Sequence, residues 1–252
     1  MMRLLKKKVL TTHISVGTFQ QHLDTIARLG RTHTSSYVCC VNAHMTVECR
    51  DPAFAQVVDG ADLATADGMP VLKALNYFHR VGQERVAGND LLPALLARAE
   101  KEGLGVFFYG GKEDVLKKIT DRAAREFPSL KIAGTWSPPF GPLEKMDLSA
   151  EADRLVRSGA HIVMVSLGCP KQERWMAAMK GRVPAVMLGL GGAFLLYAGV
   201  DTRAPKWMRD LSLEWFYRLA LEPRRLWKRY LVTNTLFLAL FSKAVLTRSR
   251  EV

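Results

Sequence analysis

Hydrophobic and polar positions along this chain change period repeatedly. Short apolar, β-rich runs fall at Ser36–Asn42, Leu63–Ala66, Val106–Tyr109, Leu130–Gly134, His161–Leu167 and Ala185–Leu190. Between them, apolar residues return every three or four positions. These stretches are Phe19–Leu29, Pro52–Val58, Met69–Asn76, a segment capped by Asn89 or Asp90 and running to Glu102, Glu113–Glu126, Ser149–Ser158 and Gln172–Lys180. The first set predicts strands and the second helices. Within Tyr37–Val41 every residue is apolar, as in a strand buried on both faces. Cys39 and Cys40 should then point to opposite faces. Strands alternating with helices predict an α/β fold: one Rossmann-like domain with a largely parallel sheet and helices on both faces. No composition break precedes residue 200, so the domain is expected to span 1–200. The breaker-rich stretch Ser137–Met146 reads as a surface connection or a lid.

From Thr202 the pattern changes. Trp207, Leu211, Leu213, Trp215, Phe216, Leu219 and Leu221 mix with Arg203, Lys206, Arg209 and Arg218. After Pro223 come Arg224, Arg225, Lys228 and Arg229, then the apolar Leu236–Phe241. Residues 201–252 therefore read as a basic, amphipathic helical appendage. It is expected to lie on an anionic membrane surface, to pack on the domain as a pair of helices, or both. Charge sharpens this. The 252 residues carry a net +12, and residues 203–252 hold 11 Arg or Lys against 4 Asp or Glu. A basic end of this kind suits phospholipid, nucleic acid or a phosphorylated substrate. The N-terminus lacks a signal-peptide core, and no run appears long enough to span a membrane. Four cysteines without metal-ligand spacing predict reduced thiols and a cytoplasmic protein.

Candidate chemistry sits at strand ends. The run His161–Leu167 stops at Gly168, and a helix is expected to open with Pro170 at its first position. Its first turn carries Lys171, Gln172, Glu173 and Arg174, an arrangement suited to an anion site or to an ordinary solvated turn. Three further polar groups are Asn42 with His44, Thr65-Ala66-Asp67-Gly68, and Arg85-Val86-Ala87-Gly88-Asn89-Asp90. In a parallel sheet such ends converge on one rim, where ligands bind. Asp67 is either a general base or the cap of the helix starting at Met69. His-Glu-x-x-His, Cys-x-x-Cys, Asp-x-Asp, Gly-x-Gly-x-x-Gly and Walker A patterns are all missing, so no metal or cofactor is expected. A non-catalytic basic module binding membrane or nucleic acid stands as the alternative to an enzyme.

Ala66-Asp67-Gly68, Arg85 through Asp90, Leu167 through Glu173 and Arg203-Ala204-Pro205-Lys206-Trp207 occur in that order. Leu213-Glu214-Trp215 with Arg218, and Glu222-Pro223-Arg224-Arg225, follow. In these motifs the chain resembles the WecG/TagA/CpsF glycosyltransferases, glycosyltransferase family 26, over residues 10–232. The resemblance implies inverting, metal-independent transfer of a hexose or N-acetylhexosamine. The donor would be a UDP-sugar and the acceptor a polyprenyl-diphosphate-linked sugar, in cell-surface polysaccharide synthesis. Residues 1–200 would hold the nucleotide-sugar, and 201–252 would meet the inner face of the cell membrane, making the enzyme peripheral. Asp67 would be the catalytic base. Substrate-binding residues would be Cys40, Asn42, Thr65, Arg85, Asn89, Asp90, Gly168, Lys171, Gln172, Glu173, Arg203, Arg218, Arg224 and Arg225. Nucleic acid is not an expected partner, and self-association is left open. One departure is Cys40, where members often have Thr, because a thiol is a poorer hydrogen-bond partner.

Overall fold

The computed structural model describes residues 4–248. Six strands form one sheet in the order β4-β3-β8-β7-β5-β6. They are β3 (Ser36–Val41), β4 (Leu63–Ala66), β5 (Val106–Gly110), β6 (Ile132–Trp136), β7 (Ile162–Ser166) and β8 (Val186–Gly189), and every neighbouring pair is parallel. Helices cover both faces, so β3, β4, β5, β7 and β8 are buried along nearly their whole length and carry no in–out alternation. Cys39 belongs to the core on one face, with Val41, Val165 and Met187. Cys40 belongs to the other, with Val38, Met164 and Leu188.

The helices are α1 (Phe19–Arg31), α2 (Ala43–Glu48), α3 (Pro52–Asp59), α4 (Met69–His79), α5 (Gly88–Glu102), α6 (Glu113–Glu126), α7 (Leu148–Ser158), α8 (Lys171–Met179) and α9 (Ala193–Tyr197). Their starts carry local chemistry. Thr18 and Gln21 form a reciprocal capping box on α1, and Asp51 caps α3 ahead of Pro52.

Several expectations change. An antiparallel hairpin, β1 (Lys6–Val9) with β2 (Thr12–Ser15), precedes α1. Three lysines disguise it, although Val9 and Ile14 are fully buried. The strand expected at Leu130–Gly134 runs two residues later. Leu130 is held in a turn, its N–H on the Phe127 carbonyl, and the register with β5 starts at Ile132. Neither Asn89 nor Asp90 caps α5. The cap position is Ala87, with no side-chain bond. Pro170 likewise stands one position earlier than expected, at the cap of α8.

Beyond α9 come α10 (Lys206–Asp210), α11 (Glu214–Leu221) and α12 (Pro223–Arg248). The expectation that no segment reaches membrane-spanning length is corrected here. Within α12, the stretch Leu226–Thr247 is 22 residues of unbroken helix, long and apolar enough to cross a membrane by length and composition alone. Read as sequence, Leu236–Phe241 is only a short apolar run; the uninterrupted helix joins it to its neighbours. One stripe of α12, Leu226, Thr233 and Phe237, is buried against the domain, and Phe241 meets Tyr77 and Phe78 of α4 at ring distances of 5.5 and 5.4 Å. Trp227, Leu231, Leu238 and Leu246 face outward.

Candidate active site

The carboxyl ends of β3, β4, β7 and β8 open into a cavity of about 890 Å³. Parallel strands put all their carboxyl ends on one rim, which is where ligands bind in such sheets. The opposite wall is made by α11 and α12, through Glu214, Trp215, Arg218, Arg229, Tyr230, Thr233 and Asn234. Domain and C-terminal helices thus enclose one space.

Asp67 follows β4 directly and lines this cavity. Its backbone N–H donates to the Val41 carbonyl at 3.0 Å, which ties the turn to β3. Its side chain does not cap α4, whose cap is Gly68 without a side-chain bond. Instead, Asp67 Oδ1 accepts the Gly88 N–H at 3.0 Å. The Asp67 carbonyl accepts Arg85 Nε at 2.6 Å. Enclosure pushes the carboxyl up to about 6, against the opposing pull of Arg85, the Gly88 N–H and Arg218; Glu214 adds to the rise. Such a group is mostly ionised at neutral pH yet basic enough to take a proton.

Asn42 plays two parts. Its Oδ1 caps α2 by accepting the Met45 N–H at 3.1 Å, and the residue lines the cavity. Gln172 also lines it. The residue is 95% buried, its Nε2 donates to Glu173 Oε1 at 2.7 Å, and its Oε1 has no hydrogen-bond partner. An unpaired buried carbonyl is costly. Gly168 has φ +80°, which glycine takes without strain. Gly192 serves by closeness: a Cβ there would sit 2.8 Å from Arg218 Nη2.

The cavity therefore gathers Cys40, Asn42, Asp67, Arg85, Asn89, Gly168, Gln172 and Arg218 from the expected set. Others are placed elsewhere. Thr65 is fully buried beneath the rim, paired in register with Cys40. Glu173 points into the core with no exposure, where burial pushes its carboxyl up to about 7. Lys171 turns away and donates to the Gly141 carbonyl at 2.6 Å, pinning the breaker-rich loop. The expected open first turn of α8 is also partly used, since the Gln172 N–H is held by the Gly168 carbonyl. Asp90 and Arg203 pair with each other at 2.5 Å. Arg224 is exposed and off the lining, and the Arg225 side chain lies outside the described residues.

The sequence reading missed Lys112, Glu214, Trp215, Arg229 and Tyr230 as lining residues. Glu214 and Trp215 lay within a quoted motif, and Arg229 within the basic run, but nothing in their spacing said which side would face inward. His44 is held below its ordinary value by burial, with Arg229 acting in the same direction. Among the described residues, no three His, Cys, Asp or Glu side chains are grouped to hold a metal ion.

A sequence model described as "Glycosyl transferase WecG/TagA/CpsF family" matches residues 7–251. The chain belongs to this family. It is a glycosyltransferase, and the non-catalytic alternative is set aside. Two relatives carry the name N-acetylglucosaminyldiphosphoundecaprenol N-acetyl-beta-D-mannosaminyltransferase. That of Bacillus subtilis (strain 168) is 36% identical over 183 residues, 72% of this chain and 69% of the relative. That of Bacillus spizizenii (strain ATCC 23059 / NRRL B-14472 / W23) is 32% identical over 216 residues, 85% of this chain and 81% of the relative.

Proposed function

We propose that this enzyme transfers an N-acetylhexosamine from a UDP-sugar to a polyprenyl-diphosphate-linked sugar, with inversion and without a metal. N-acetylmannosamine is the first donor to test, because both relatives are named for its transfer. The observation that carries the reading is the Asp67 carboxyl, raised to about 6 and sharing a cavity with Arg85 and Arg218.

In this reading the acceptor hydroxyl attacks the anomeric carbon from the face opposite UDP. Asp67 takes the hydroxyl proton as the new C–O bond forms, and the bond to the diphosphate oxygen breaks. Negative charge builds on the leaving UDP. Arg218 and Arg229, brought by α11 and α12, together with Lys112, line the cavity and are the groups available to stabilise it. Preorganised cations in an enclosed site are worth far more than in water. That charge supply supports metal independence. Gln172 Oε1 and Asn42 would orient the donor through N–H or O–H groups.

The outward Trp227 and Leu231 and the basic residues of 201–252 support placing this enzyme peripherally at the inner membrane face. The inward stripe of α12 supports lying against the domain over spanning the bilayer. The deciding experiment is UDP release from UDP-N-acetylmannosamine with a lipid-diphosphate-N-acetylglucosamine acceptor, with and without EDTA. Turnover should persist in EDTA and disappear in Asp67→Asn. Loss of turnover in EDTA, restored by a divalent ion, refutes metal independence.

A further inference from the structure

Two ion pairs join the C-terminal segment to the sheet rim, and both land on one short stretch. Arg203 Nη2 lies 2.5 Å from Asp90 Oδ1, and Arg85 Nη2 lies 2.9 Å from Glu214 Oε2. Arg85 and Asp90 bracket residues 85–90, which lead into α5. This stretch also grips Asp67 twice, through Arg85 Nε on its carbonyl at 2.6 Å and the Gly88 N–H on its carboxylate at 3.0 Å. Arg85 thus spends one edge of its guanidinium on Asp67 and another on Glu214. The group is planar and rigid, so fixing Nη2 also fixes the direction of Nε. Both partners are about four-fifths enclosed, with side-chain exposures of 21% and 18%. Solvent screening of the pair is correspondingly weaker than at an open surface.

We propose that Glu214 is a positioning residue that holds Arg85 against the Asp67 carbonyl, so that seating of α11 completes the orientation of the catalytic base. The inference rests on the reading of Asp67 as that base. It gives the C-terminal helices a task inside the site besides supplying cations. An unseated α11 leaves Arg85 free to rotate toward any diphosphate in the cavity, and Asp67 itself loses one of its two hydrogen bonds to 85–90. The charged and polar groups facing the Asp67 carboxyl are Arg85, the Gly88 N–H of α5, Glu214 and Arg218 of α11, with the Cys40 thiol of β3 alongside. Glu214 is the anionic member among them. Removing its charge leaves Asp67 facing cations alone, and the carboxylate then ionises at lower pH.

The test uses the full chain and UDP release followed across pH, in the parent, Glu214→Gln, Glu214→Asp, Arg85→Gln, the Arg85→Gln/Glu214→Gln double variant, and Asp67→Asn. Glu214→Gln should lower kcat about tenfold, as expected for a slightly misplaced catalytic group, while KM for the UDP-sugar changes little. The acid limb of its kcat profile should move to lower pH. Glu214→Asp should recover part of the loss. In the Arg85→Gln background, Glu214→Gln should cost nothing more. Unchanged kcat and acid limb in Glu214→Gln, with Asp67→Asn inactive, overturn the positioning role and leave the base assignment standing. Losses that multiply in the double variant also overturn it, because Glu214 would then act by another route. Normal turnover in Asp67→Asn removes the base assignment itself.

Discussion

At the scale of single residues, two carboxyls carry opposite assignments. Asp67 opens on the cavity, whereas Glu173 is sealed in the core. Both are raised, Asp67 to about 6 and Glu173 to about 7. A carboxyl raised on folding favours the protonated fold, so its contribution is present below the unfolded value and lost as pH rises through the folded one. For Asp67 that window runs from about 4 to 6, and for Glu173 from about 4.5 to 7. Glu173→Gln keeps the acceptor used by Gln172 and removes the ionisation. Its unfolding free energy, read from denaturant titration, should therefore exceed the parent's more at pH 8 than at pH 5, by up to about 3 kcal/mol. Equal gains at both pH values would contradict this. Asp67→Asn should be more stable than the parent at pH 7 while turnover falls by about 10²–10⁴-fold, the usual worth of a general base. The parent's kcat should decline as pH drops through about 6. Gly192→Val tests closeness: its side chain intrudes on Arg218, so transfer should fall while unfolding midpoints move little.

At the scale of elements, α11 and α12 matter most. One face of α12 packs on α2 and α4, and the same helix walls the cavity. Truncation after Asp201 should abolish transfer and expose the apolar surface that Leu226 and Phe237 cover, read as increased binding of a hydrophobic dye. Membrane contact is separable. Trp227→Glu with Leu231→Glu alters only outward positions, so vesicle flotation should drop while turnover with a short, soluble acceptor persists. Equal loss of both would tie the outer face to catalysis. These elements were only partly legible. Their basic, aromatic composition announced an amphipathic appendage, but Pro223–Arg248 appears as one helix only when its apolar stripe is matched to the domain surface.

At the scale of the whole molecule, the architecture explains why a site forms at all. All six strands run the same way, so the turns after β3, β4, β7 and β8 gather at one end. Asn42, Asp67, Gly168 and Gly191, far apart in the chain, become neighbours by that single geometric fact. The C-terminal helices then cover the rim and bring Arg218 and Arg229 to it. Binding of a dianionic nucleotide should therefore weaken with ionic strength, more steeply in the parent than in Arg218→Gln, as measured by UDP titration at low and high salt. A slope identical in both would separate Arg218 from the nucleotide.

The alternation of β-rich and helical periods in this chain by itself determined the α/β class and the polar groups at the strand ends, because both follow from local spacing and residue type. It also marked the basic end. Only the tertiary structure decided which of those polar groups share a cavity. Lys171 and Gln172 are neighbours in sequence, yet one pins a loop and the other faces the site. Glu173, one residue further, is buried in the core. Helical rotation sends adjacent side chains about 100° apart, and which direction is inward depends on what packs there. The same holds for Arg218 against Arg224, and for Glu214, whose partner Arg85 lies on a segment far away in sequence. Long-range contacts of that kind leave no trace in local pattern, since they are set by how the helices seat on the sheet.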